Sequence, residues 1–259
     1  MLTCDDLVFA QGAQPILTGI SLAIAPGEMV AVLGANGAGK STLLKCLAGS
    51  VPAAGRVSLD GVPLAQYAPQ RLAQRRAVLP QSLAPQDDGL TVADVVEMGL
   101  FPHRLSPNSS AAQTAWQQVL DWAGIAAYLP RRYATLSGGE QQRVHLARVW
   151  LQVLVAPHPG GRYLMLDEPT AALDPAWQLA VLARCRTMAQ TDKVGVLLVL
   201  HDLNLACRYA DRVFLLAAGQ QVACGAPATV LNRDTLHAAY GIALQSVALP
   251  SGGVAWLPV

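Results

Sequence analysis

Three glycines, a lysine and a serine crowd residues 33–42, LGANGAGKST, directly after the apolar run MVAVL. Glycine tolerates positive φ and lets backbone approach a ligand, so the N–H groups of such a loop can converge on an anion. The spacing G-x-x-x-x-G-K-[ST] makes that anion a polyphosphate. Lys40 would reach β- and γ-phosphate oxygens, Ser41 would place its hydroxyl on Mg2+, and a helix opening at Ser41 would aim its positive dipole end at the site. Gly34, Asn36, Gly37, Gly39, Lys40, Ser41 and Thr42 are therefore the candidate nucleotide contacts.

A second candidate follows the run YLML, which ends in Asp167 and Glu168. An acid pair after a core strand is commonplace by itself. Beside a phosphate loop, Asp167 fits the Mg2+-associated acid of P-loop NTPases and Glu168 a base that polarises the attacking water, with strand alternation turning the two carboxylates opposite ways. A third stretch, LSGGEQQRVHLARVW (136–150), reads first as a helix start, Ser137 and Glu140 making a capping box. That leaves Gly138 and Gly139 unexplained, since each weakens a first helical turn by up to about 1 kcal/mol relative to alanine. They free N–H groups for an anion, to which Ser137 adds a hydroxyl.

These residues need elements to hold them. Short apolar runs between turn signals over residues 7–24 predict strands of a small antiparallel sheet, and residues 77–81 a strand ending at Gln81. From Thr91 to Val155, Val92, Val95, Val96, Trp116, Val119, Leu120 and Ala123 recur at helical spacing, as in a helical lobe inserted into an α/β core. The nearly continuous apolar runs before Asp167 and before His201 fit strands covered on both faces of a parallel sheet, whose carboxyl ends bind ligands.

In this context the chain resembles the ATP-binding cassette (ABC) family, whose signature is LSGGQ or LSGGE. The resemblance spans essentially the whole chain: Phe9 sits where the family has an aromatic residue stacking on adenine, Gln81 at the Q-loop (a Mg2+ and water-side position), Asp174 at the D-loop and His201 at the switch histidine. It implies an α/β, RecA-like P-loop NTPase core with a mostly parallel sheet, a small N-terminal antiparallel β subdomain and an inserted α-helical subdomain. Residues 1–259 would form one nucleotide-binding domain, with 1–85 and 160–259 as the ATP-binding core and 86–159 as the helical subdomain. It further implies catalytic roles for Lys40, Gln81, Glu168 and His201, MgATP as ligand, and a head-to-tail pair of copies in which Ser137, Gly138 and Gly139 of one face the phosphate loop of the other.

Composition narrows the setting. A chain of 259 residues, 53% apolar, can bury a substantial core, and a net charge of +1 offers no field for nucleic acid. The first residues, MLTCDD, lack the basic-then-apolar pattern of a signal peptide, so the chain is expected to stay in the cytosol; residues 194–200, the longest apolar run, are too few to cross a bilayer. Five cysteines without C-x-x-C spacing predict thiols rather than a metal site. With neither a heptad insertion nor a basic linker, a soluble ABC ATPase acting on nucleic acid is the weaker class. The expected partners are two separate transmembrane permease subunits and, indirectly, a periplasmic binding protein, with the chain peripheral on the cytoplasmic side of a bacterial inner membrane. QRRAVLPQ (74–81), TVADVVEMGLFPHR (91–104) and HDLNLACRYADRVFLLAAGQ (201–220) resemble the iron-chelate, cobalamin and haem importers, and PHPGGR (157–162) resembles the insertion of haemin-import ATP-binding proteins. The substrate reading is therefore haem, with ferric siderophore or cobalamin as alternatives.

Overall fold

A computed structural model of the chain describes residues 1–81, 89–155, 158, 160–248 and 254–258; Pro157 and Pro159 of the PHPGGR stretch lie outside the described residues. β1 (Leu2–Gln11) and β2 (Gln14–Ile24) pair as an antiparallel hairpin, followed by β3 (Met29–Leu33) and, beyond the phosphate loop, α1 (Lys40–Leu47). β4 (Ala54–Leu59) and β5 (Val62–Pro63) complete an antiparallel sheet ordered β2-β1-β4-β5. α2 (Pro69–Arg75) then leads to β6 (Arg76–Leu79).

Among the described residues between 89 and 155 the regular elements are helical: α3 (Val92–Glu97), α4 (Ser110–Ala123) and α5 (Gly138–Leu154), with short 3-10 turns between them. The chain then alternates through β7 (Arg162–Asp167), α6 (Pro175–Asp192), β8 (Val194–Val199), α7 (Leu203–Tyr209), β9 (Arg212–Ala217) and β10 (Gln220–Gly225). The second sheet runs β10-β9-β3-β8-β7-β6, parallel throughout except that β10 opposes β9. α8 (Pro227–Val230), α9 (Arg233–Tyr240) and the hairpin of β11 (Leu244–Ala248) and β12 (Val254–Pro258) follow.

The near-continuous apolar strands have the cause expected of them. β3, β7 and β8 are buried along their whole length. Alternate residues feed two cores: Leu164, Leu166, Val196 and Leu198 pack with the helices α3–α6, whereas Tyr163, Met165, Leu197 and Val199 pack with α1 and the antiparallel sheet. Each fully buried Leu or Val contributes roughly 1.5–3 kcal/mol, so a parallel sheet covered on both faces gains from almost every residue of its central strands. Val92, Val95, Val96, Val119, Leu120 and Ala123 are buried as their spacing predicts, and Trp116 is partly buried against the same core. All five cysteines are free thiols, three of them buried.

Candidate nucleotide site

The carboxyl ends of β3, β6, β7 and β8 open onto one cavity of about 610 Å3, in whose wall Asn36, Gly37, Gly39, Lys40, Ser41 and Thr42 meet Gln81, Glu168 and His201. These nine residues come from four separate stretches of sequence. The loop is shaped by two glycines above all. Gly34 has φ 150°, and a Cβ there would lie 2.1 Å from the Leu216 carbonyl oxygen; Gly39, at φ 102°, is the N-cap of α1, where a Cβ would sit 2.9 Å from Leu17 Cδ2. Gly39 brings no side-chain cap, unlike Thr91, Ser137 and Asn232 at the heads of α3, α5 and α9, so the first N–H groups of α1 are left for a ligand. The helix begins at Lys40, one residue before the expected Ser41.

Lys40 is buried and folds back over the loop, its Nζ donating to the carbonyl oxygens of Gly34 at 2.8 Å and Ala35 at 2.9 Å. Burial lowers its pKa, and the nearby Glu168 and Asp167 carboxylates pull it back up. Ser41 Oγ donates to Asp167 Oδ1 at 3.0 Å. Asp167 is 1% exposed and its Oδ2 is buried without a hydrogen-bond partner. Its pKa is raised, chiefly by burial, with the Ser41 hydrogen bond opposing and the Glu168 charge adding to the rise. A buried carboxylate with one oxygen unmet, beside a hydroxyl, is a donor set for a hard cation.

Glu168 corrects the strand-alternation expectation. β7 ends at Asp167, and Glu168 has φ 51°, a left-handed conformation rare for a non-glycine residue. That turn, not strand alternation, sets where its carboxylate points. The turn is fixed on both sides, Glu168 N–H donating to the Val199 carbonyl at 3.2 Å and its own carbonyl accepting from Ala171 N–H at 3.2 Å. Glu168 Oε1 accepts from Gln81 Nε2 at 2.9 Å and lies 2.7 Å from His201 Nε2. Gln81 also sits differently from expectation: β6 stops at Leu79, and Pro80, which has no N–H for the ladder, carries the chain out so that Gln81 is exposed at the cavity.

Other expected residues lie apart from the cavity. Phe9 on β1 is half-buried against the apolar cluster of the antiparallel sheet and is not among the lining residues, where Ile16 of β2 stands instead. Ser137, Gly138 and Asp174 are exposed and also outside the cavity wall. The capping box of α5 is present, Glu140 Oε2 accepting from both Ser137 N–H and Ser137 Oγ at 2.8 Å. Asp174 caps α6 by accepting from Trp177 N–H. Sequence reasoning missed Ile16 and Tyr240, whose hydroxyl accepts from Gly34 N–H at 3.1 Å. Neither belongs to a local motif; only the strand pairing and the return of the C-terminal helix bring them here.

A phosphate loop between a parallel strand and a helix, with an acid at the end of a neighbouring strand, defines a P-loop nucleoside triphosphatase. The family profile described as ABC transporter matches residues 17–171, and the chain belongs to that family, an ATP-binding cassette that hydrolyses ATP. It is 47% identical over 243 residues to the hemin import ATP-binding protein HmuV of Bordetella avium, a match covering 93% of this chain and 92% of the relative. Among solved structures it resembles an ABC transporter of metal-chelate type in an inward-facing conformation, at TM-score 0.79 and 25% identity, covering 100% of this chain and 97% of the other. It shares its fold with the dimeric bacterial cassette MJ0796, at TM-score 0.74 and 24% identity, covering 88% of this chain and 99% of the other. Among the described residues no helix is long and apolar enough to cross a membrane.

Proposed function

We propose that this chain energises haem uptake as the ATP-hydrolysing subunit of a bacterial importer, lying peripherally on the cytoplasmic face of the inner membrane against two transmembrane permease subunits. The observation that carries the catalytic reading is Glu168 Oε1 held between Gln81 and His201 above the phosphate loop. In this reading Lys40 and the N–H groups at the start of α1 bind the β- and γ-phosphates, Glu168 takes a proton from the attacking water, and the His201 Nε2–H exchanges its Glu168 partner for the γ-phosphate when nucleotide binds. Ser41 Oγ, the unmet Asp167 Oδ2 and the Gln81 side-chain carbonyl would hold Mg2+. When bound, Mg2+ neutralises charge on the phosphate oxygens.

Ser137, Gly138 and Asp174 face solvent away from the cavity, which supports a second copy of the chain as the carrier of the signature residues. We assign residues 86–159 to the helical subdomain that presents them and the remainder to the ATP-binding core. The choice of haem over ferric siderophore or cobalamin rests on the name of the HmuV relative. A periplasmic haem-binding protein would then act on this chain only through the permease. In vesicles carrying the complete transporter, haem-loaded binding protein should accelerate ATP hydrolysis and haem should accumulate. ATP-dependent uptake of a ferric siderophore with exclusion of haem would discard the substrate and keep the ATPase.

A further inference from the structure

Gly34, first residue of the phosphate loop, is held at both of its backbone polar groups. Its carbonyl accepts from Lys40 Nζ at 2.8 Å, and its N–H donates to the hydroxyl of Tyr240, 206 residues away. Tyr240 is the last residue of α9, an element well anchored for its length. Asn232 opens it with a capping box, Leu236 and Ala239 are buried, and Gly241 closes it with a left-handed cap. Burial pushes the Tyr240 phenol up to about 12, so it remains a neutral hydroxyl at any working pH. The segment after α9 is tied to the other side of the site. Asn204, three residues beyond His201, donates through Nδ2 to the Trp256 carbonyl at 3.3 Å and accepts through Oδ1 from Trp256 N–H at 2.7 Å.

We propose that Tyr240 is a positioning residue for nucleotide binding: its hydroxyl holds the N–H side of Gly34 while Lys40 holds the carbonyl side, so the C-terminal helix sets how ordered the phosphate loop is before ATP arrives. The inference rests on residues 34–42 being the triphosphate site. Gly34 cannot brace itself with a side chain, because a Cβ there would meet the Leu216 carbonyl at 2.1 Å. The two peptide units that flank Gly34 therefore depend on outside partners, and a loop that must be ordered during binding subtracts that cost from affinity.

Tyr240→Phe keeps the ring and removes only the hydroxyl, and with it the acceptor for Gly34 N–H. Its Kd for a fluorescent ATP analogue with Mg2+, its KM and kcat for ATP, and its thermal midpoint are compared with wild type, the first three well below either midpoint. Kd and KM should rise together by about three- to tenfold, the span of one lost neutral hydrogen bond, while kcat stays within about twofold. A purely structural tyrosine would lower the midpoint and leave Kd alone. Kd and KM equal to wild type overturn the proposal whatever the midpoint does. Lys40→Ala serves as the parallel arm: if it binds the analogue as wild type does, the triphosphate-site reading itself falls and this inference falls with it. Loss of binding in Lys40→Ala beside an unchanged Tyr240→Phe removes the tyrosine's role alone.

Discussion

Glu168 departs from strand geometry at φ 51°, a conformation that costs a non-glycine residue of order 1–2 kcal/mol, and this places one carboxylate oxygen against both Gln81 and His201. Glu168→Gln keeps the shape and removes the charge that the proposed base role requires. Hydrolysis should slow by at least about 100-fold while MgATP binding is retained, read by phosphate release and nucleotide titration. Preserved turnover would remove Glu168 from the base role. The types and spacing of Lys40, Ser41, Asp167 and His201 were legible because a phosphate loop is a local pattern and the acids and histidine follow apolar runs. The direction of Glu168 was not, since strand alternation ends one residue earlier. Phe9 marks another limit: an aromatic residue in a strand reads equally as platform or core, and both Phe9 and Ile16 pack partly buried against the cluster of the antiparallel sheet, with Ile16 the one that also lines the cavity.

At the scale of elements, α5 ties the helical stretch to the turn after β7. Gln142 Nε2 donates to the Pro169 carbonyl at 3.2 Å, the Arg143 guanidinium lies 4.3 Å from the Trp177 ring centroid, and a Cβ on Gly139 would stand 3.0 Å from the Ala172 carbonyl. The capping box of this helix was legible within four residues; its contacts with Pro169 and Trp177 were not, because they join stretches whose proximity only the fold decides. Behind the signature, His145 is 1% exposed and shares a 2.8 Å hydrogen bond with the Tyr133 hydroxyl. Burial, aided by the Arg148 charge, pushes its pKa down from 6.5 to about 3. The unfolded ring takes a proton below 6.5, whereas the native ring does not until about 3, so this contribution to stability is full above 6.5 and drains away as pH falls toward 3. Between pH 7 and pH 5 the loss should be about 2 kcal/mol. His145→Gln, which keeps an acceptor for Tyr133, should flatten that slope in urea unfolding at the two pH values. An unchanged slope would assign the pH dependence to other groups.

For the whole molecule, the near-zero net charge argues that ATPase activity will not respond to DNA or RNA at physiological salt; length-dependent stimulation by either would overturn the importer reading. The proposed completion of the site by a second copy makes a stronger demand. Within one copy the phosphate loop, Gln81, Glu168 and His201 share a cavity that Ser137 and Gly138 do not reach, and a head-to-tail pair would supply each cavity with the signature of the other copy. Lys40→Ala cripples the phosphate loop, and Ser137→Arg blocks the signature by bulk, so neither homodimer has an intact site. Mixing the two in equal amounts creates heterodimers in which one site joins the sound loop of the Ser137→Arg copy to the sound signature of the Lys40→Ala copy. With random pairing half the dimers carry one intact site of two, so the mixture should recover about a quarter of the wild-type rate where sites turn over independently. Each variant assayed alone at the same total concentration should remain near background. A mixture no faster than the mean of its parts would sink the head-to-tail arrangement, since a site completed within a single copy has nothing to gain from a partner.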